Sequence, residues 1–159
     1  RCHMTVSLPD HANVIAPPPL LFLGALVAGF ALEIVWPTSF VAGLARIALG
    51  SALLAAGTAV MRAGFRAQRR AGTTIPTHLP TDAIASDGAY AWSRNPLYLG
   101  LMLLYSGTAV FGDSLWVLGL LVPLFAVLRV GVVRREEAYL ERKFGDAYRA
   151  YRARVRRWI

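Results

Sequence analysis

The run Arg94-Asn95-Pro96-Leu97-Tyr98-Leu99-Gly100 gathers a fixed cation, an amide, a proline, a phenol and a glycine immediately before an apolar stretch. Pro96 can open a helix, because the N–H it lacks would be unpaired there anyway, and the free N–H groups just after it favour an anion or carboxylate. Gly100, one turn in, is expected to let a ligand approach the backbone closely. The only adjacent carboxylates, Glu136 and Glu137, come after the last apolar run. Neighbours on a helix point about 100° apart, so at most one of the two faces a given pocket. One can hold a ligand ammonium while the other pairs with Arg134, Arg135 or Lys143. Taken alone, the pair is also what a solvated charged helix carries.

The elements that must position these groups are apolar. The chain has 159 residues, 56% of them hydrophobic and 16% charged, with a mean hydropathy of +0.48. That is too apolar for an ordinary soluble domain and indicates a membrane protein. Net charge is +8; of 17 basic residues, five fall between Arg62 and Arg94 and ten from Arg129 onward. Such clustering sets membrane topology and argues against nucleic acid as a partner. The single cysteine, Cys2, lies in Arg1-Cys2-His3, which reads as a vector-derived leader ahead of a native start at Met4. Neither His11 nor His78 has a partner at ligand spacing, so no metal is expected.

Four transmembrane helices are expected in an all-α, multi-pass membrane protein with one domain from residue 4 to 159. They cover about 20–36, 40–63, 97–111 and 115–133, the first being long enough for a hydrocarbon core of about 30 Å. Glu33 and Trp36 close the first, Arg46 snorkels near the outer end of the second, and Pro123 is expected to kink the fourth. Gly43, Gly50, Gly57 and Gly64 recur every seven residues, a bare stripe against which another helix can pack. A connection of roughly thirty residues, rich in proline and threonine, runs from Arg62 to the motif. Short loops free of basic residues on one side, with basic regions on the other, place both termini in the cytoplasm of a prokaryotic inner membrane. The tail repeats Leu140, Phe144, Tyr148, Tyr151, Val155 and Trp158 at helical spacing, an amphipathic cytoplasmic helix suited to a membrane surface. Gly145-Asp146 is expected to break it.

Gly88-Ala89-Tyr90, the run Ser93–Gly100 and Glu136-Glu137 followed by KFGDAYRAYRARVRRW together resemble the isoprenylcysteine carboxyl methyltransferase and phospholipid methyltransferase superfamily of integral-membrane enzymes, from about Ala71 onward. The resemblance implies S-adenosylmethionine as cofactor, S-adenosylhomocysteine as its product, and a lipophilic or lipid-like acceptor. Carried over position by position, Tyr90, Arg94, Asn95, Pro96, Tyr98, Gly100 and Glu137 would line the cofactor site. Arg94, Tyr98 and Glu136 are the candidates for a catalytic role. Two positions depart from the common pattern: Ala89 stands where many members have proline, and Asn95 where they have histidine. An asparagine can only hydrogen-bond, so a general base is not expected at 95.

The residue types suit such chemistry. Methyl transfer from a sulfonium is an in-line displacement that needs positioning and exclusion of water rather than a covalent intermediate. No Gly-x-Gly-x-x-Gly or strand alternation offers a soluble, Rossmann-like alternative. Two other readings compete: a membrane sterol-reductase-like enzyme using NADPH, and a non-enzymatic scaffold whose basic tail binds anionic lipid. The methyltransferase reading requires the start of the third helix and the Glu136-Glu137 pair to close around one water-facing cavity at one membrane face. The acceptor and the oligomeric state are not readable from the residues.

Overall fold

A computed structural model describes residues 13–72 and 83–159; the leader, Met4, His11 and His78 lie outside them. The described residues form helices and no strands. In chain order these are α1 (Pro18–Val35), α2 (Gly43–Arg70), a 3-10 turn (Gly88–Ala91), α3 (Pro96–Phe111), α4 (Leu115–Leu128), a π turn (Arg129–Val133), α5 (Arg134–Phe144) and α6 (Asp146–Arg154).

Three helical stretches are long and apolar enough to cross a membrane: Pro18–Val35, Gly43–Arg70 and the continuous Leu115–Phe144. α3 is shorter, at 16 residues, or about 24 Å of helix. The large exposed apolar side chains Leu20, Val27, Ile34, Leu44, Leu49, Val122 and Val130 lie on α1, α2, α4 and the π turn, as expected of faces turned to lipid rather than water.

α1 and α3 both begin on proline, Pro18 and Pro96, whose φ is already helical and whose missing donor costs nothing in the first turn. α2 runs seven residues beyond the expected end at 63 and takes Arg62, Arg66, Arg69 and Arg70 into the helix. The connection to the motif is correspondingly shorter than the thirty residues anticipated. Arginine is a good helix former, and Arg69 and Arg70 sit where the helix dipole favours cations.

α2 and α3 pack antiparallel through alternating glycines and large residues. A Cβ added at Gly50 would lie 2.9 Å from Phe111, at Gly57 2.9 Å from Leu104 and at Gly64 2.6 Å from Leu97; from the other side, one at Gly107 would lie 2.9 Å from Leu54. Every seventh residue on α2 is therefore bare so that α3 can touch its backbone. Gly43 is the exception, standing free at the helix start.

α1 packs on α4, Gly29 meeting Val117, and the core between α1, α3 and α4 holds Phe22, Tyr105, Ala109, Val117, Leu124 and Leu128. Phe22 and Tyr105 meet edge to face, centroids 5.9 Å apart. Pro123 lies inside α4, but the hydrogen-bond ladder changes register at the π turn, from Arg129 to Val133. The helix then continues, so the carboxylate pair stands on the same rod as the apolar span instead of opening a separate tail.

The tail breaks at Gly145, whose φ of +52° suits glycine. Its apolar stripe folds inward: Tyr148, Tyr151 and Val155 are buried and pack with Ile84, Leu140 and Phe144. Trp158 stacks on Phe125 with centroids 5.2 Å apart. The surface-lying helix expected of this stripe is thus a cover laid over the motif.

Candidate active site at the basic end of the bundle

The motif and the carboxylate pair meet. The Tyr98 hydroxyl donates to Glu136 Oε1 at 2.7 Å, and Arg94 Nη2 lies 3.2 Å from Glu137 Oε1. The 100° between adjacent helical positions is what splits the pair: Glu136 turns to the phenol and Glu137 to the guanidinium. The cation beside Glu137 comes from the motif, not from its chain neighbours. Arg134 is exposed, Arg135 donates to the Asn13 carbonyl at 2.8 Å, and Lys143 to the Tyr139 hydroxyl at 3.1 Å.

Arg94 and Glu137 are deeply set, their side chains 8% and 11% exposed. Among the described residues, Arg94 Nε and Nη1 are buried without a hydrogen-bond partner. A guanidinium carries five donors in a planar fork, and leaving buried donors unmade costs about 1–3 kcal/mol each. The Tyr148 ring closes this corner; burial pushes its hydroxyl up to about 12, Glu137 adding to the shift and Arg94 opposing it. Tyr90 stands on the Glu136 side, its hydroxyl pushed well above the ordinary range by burial and then by the Glu136 carboxylate. The Tyr90 carbonyl accepts from the Tyr151 hydroxyl at 2.8 Å. Beyond Tyr151 a groove of about 190 Å³ is lined by Ser86, Asp87, Ala91, Arg154 and Val155.

Three expected ligand contacts have other uses here. A Cβ on Gly100 would lie 2.6 Å from Met61 Cγ and 3.2 Å from the Gly57 carbonyl, so the close approach it allows is that of α2 and not of a ligand. Asn95 gives its Nδ2 to the Arg157 carbonyl at 2.9 Å, and its side chain makes no cap on α3. Pro96 is fully buried and serves as the helix start.

Arg157 was not singled out by spacing, since it is one of many tail arginines. It binds Glu137 with both arms of its fork, Nε to Oε1 at 3.0 Å and Nη2 to Oε2 at 2.7 Å. Its backbone is held across the motif: the Arg94 N–H donates to the Arg156 carbonyl at 3.0 Å, next to the Asn95 bond. The space at Glu137 where a ligand cation is anticipated is therefore taken by Arg157, and the open cavity expected there is closed by a side chain. Only the fold-back of the tail reveals this.

The phospholipid methyltransferase family model matches residues 45–147, a span that includes most of α2, the motif, α3, α4 and the carboxylate pair. The chain belongs to this family, within the isoprenylcysteine and phospholipid methyltransferase superfamily, and with its three apolar helices it is a membrane protein. An uncharacterized protein of Haemophilus influenzae (strain ATCC 51907 / DSM 11121 / KW20 / Rd) is 45% identical over 64 residues, which are 40% of this chain and all of that protein. No solved structure matches.

Proposed function

We propose that this chain is a multi-pass, S-adenosylmethionine-dependent methyltransferase acting on a lipophilic acceptor. The observation that carries the reading is the buried Arg94–Glu137 pair with unpartnered guanidinium donors. A carboxylate beside donors that lack an acceptor fits the ammonium and carboxylate of one amino-acid group. On this reading Glu137 holds the ammonium, Arg94 Nε and Nη1 hold the carboxylate, and Tyr90 and Tyr148 supply aromatic wall. Asn95 and Pro96 shape the site through the tail and the helix start.

The cofactor brings an electrophilic methyl group on a sulfonium. The protein's share is to orient and to exclude water, which the folded-back tail does by covering the motif. Glu136, fixed by the Tyr98 hydroxyl, is placed to take a proton from an amine acceptor at its carboxylate; a carboxylate acceptor has none to give. α3 then completes four crossings, its short apolar run extended at the front by the polar motif, with both termini on the cytoplasmic side of a prokaryotic inner membrane. Basic residues on α2, α5 and α6 support that orientation, and the exposed apolar faces leave a lipid-borne acceptor free to enter from the bilayer.

Calorimetric titration of the detergent-solubilised protein with S-adenosylhomocysteine tests this. Binding is expected, and Glu137→Ala should weaken it by about 2–5 kcal/mol, the usual cost of stranding a buried charge. Absence of binding, or binding indifferent to this substitution, removes the assignment. Thermal protection by NADPH in its place would favour the reductase.

A further inference from the structure

We infer that Arg157 is a latch on the cofactor site: in the ligand-free protein its guanidinium stands where the ligand's ammonium belongs, and binding requires it to leave. The inference rests on the cofactor reading above and adds a regulatory step to it.

A carboxylate has about four acceptor positions. Glu137 already accepts the two arms of Arg157 at 3.0 and 2.7 Å and is ion-paired with Arg94 Nη2 at 3.2 Å. An ammonium brings three more donors and a third positive charge, so one guanidinium must yield. Arg94 is the one held in place, with 8% of its side chain exposed against 28% for Arg157. Arg157 also sits on a strap that its own backbone secures. The Arg157 carbonyl accepts from Asn95 Nδ2 at 2.9 Å, and the neighbouring Arg156 carbonyl from the Arg94 N–H at 3.0 Å. Trp158 anchors the end on Phe125. The side chain can therefore swing out to water while the strap stays put, and the released Glu137 is left facing a single cation.

The latch also keeps the empty site stable. A buried carboxylate without enough counter-charge is costly, and Arg157 supplies that charge until a ligand does. Apparent affinity is then the intrinsic affinity scaled by the fraction of molecules with Arg157 swung away. A minor state of about a tenth or less lowers it roughly tenfold or more.

The test is calorimetric titration of wild type, Arg157→Gln and Arg157→Lys with three ligands: S-adenosylhomocysteine, its decarboxylated amine analogue, and methylthioadenosine, which has neither charge. The latch predicts that Arg157→Gln binds the amine analogue about tenfold more tightly than wild type and methylthioadenosine equally well. Arg157→Lys keeps a cation but loses the fork and should fall between them. Should Arg157→Gln not fold, tighter amine binding by Arg157→Lys still supports the latch. Unchanged or weaker amine binding in the variants, with wild type binding S-adenosylhomocysteine, overturns the latch while leaving the cofactor reading intact. Binding by Arg157→Gln alone supports it strongly. No binding by any of the three proteins removes both.

Discussion

The two ends of the bundle each carry a pair of carboxylates, and they use them differently. At the end where α1 meets α2 and α3 meets α4, Glu33 accepts from the Thr38 N–H and hydroxyl and from the Ser114 hydroxyl. Asp113 accepts from the Ser39 hydroxyl at 2.7 Å and from the Phe40 and Val41 N–H groups, each at 2.9 Å. Trp116 Nε1 reaches the Trp36 carbonyl at 2.9 Å. Both acids are spent on backbone and hydroxyl donors that stitch one loop to the other. Arg46, expected to snorkel at this end of the second span, stands near Asp113 and helps hold its carboxyl low.

At the basic end, Glu136 and Glu137 face a phenol and two guanidiniums, and Arg94 Nε and Nη1 are buried without a hydrogen-bond partner among the described residues. Arg46 Nε is unpartnered too, but Arg46 as a whole is only half-buried. The contrast separates a staple from a candidate site: in the first the acceptors are matched by local donors, in the second buried donors lack acceptors among the described residues.

Substitutions at the two ends should therefore separate binding from stability. After Glu137→Ala, the largest effect is expected from Arg94→Gln, which should weaken S-adenosylhomocysteine binding by about 1.5–3 kcal/mol, the value of hydrogen bonds to a charged group. Calorimetry would show it, and unchanged affinity would erase the distinction drawn here. Next, Ser114→Ala removes the hydroxyl that caps α4 at the Val117 N–H and should cost about 1 kcal/mol of stability. Its thermal midpoint should fall while its ligand affinity stays that of the parent.

The smallest effect is in pH. Hydrogen bonds from Phe40, Ser39 and Val41 lower the Asp113 carboxyl from 3.8 to about 2. A depressed folded-state value means the stabilisation is complete above about pH 4 and is lost as pH falls toward 2. Asp113→Asn should flatten that part of the thermal-midpoint profile, and a profile of unchanged slope would show that the loop contact contributes nothing.

Much of the candidate site is legible in residue types. Arg94, Tyr98, Glu136 and Glu137 each announce a charge or a phenol at the edge of an apolar run. The glycine stripe was equally plain, because only close helix packing explains bare positions every seventh residue. Gly100 was misread for the same reason: a glycine signals that something approaches closely, but not whether the visitor is a ligand or, as here, Met61. Arg157 was hidden because its role depends on the turn at Gly145 carrying α6 back across the motif.

By itself the sequence determined the apolar spans, the helix starts at Pro18 and Pro96 and the groups able to do chemistry, since these depend on composition and on periods a few residues long. Only the tertiary structure decided which partner each group has: Glu136 with Tyr98, Glu137 with Arg94 and Arg157, Gly100 with Met61. Those pairings join residues 20 to 43 positions apart, and local chemistry places no constraint at that range until the helices pack.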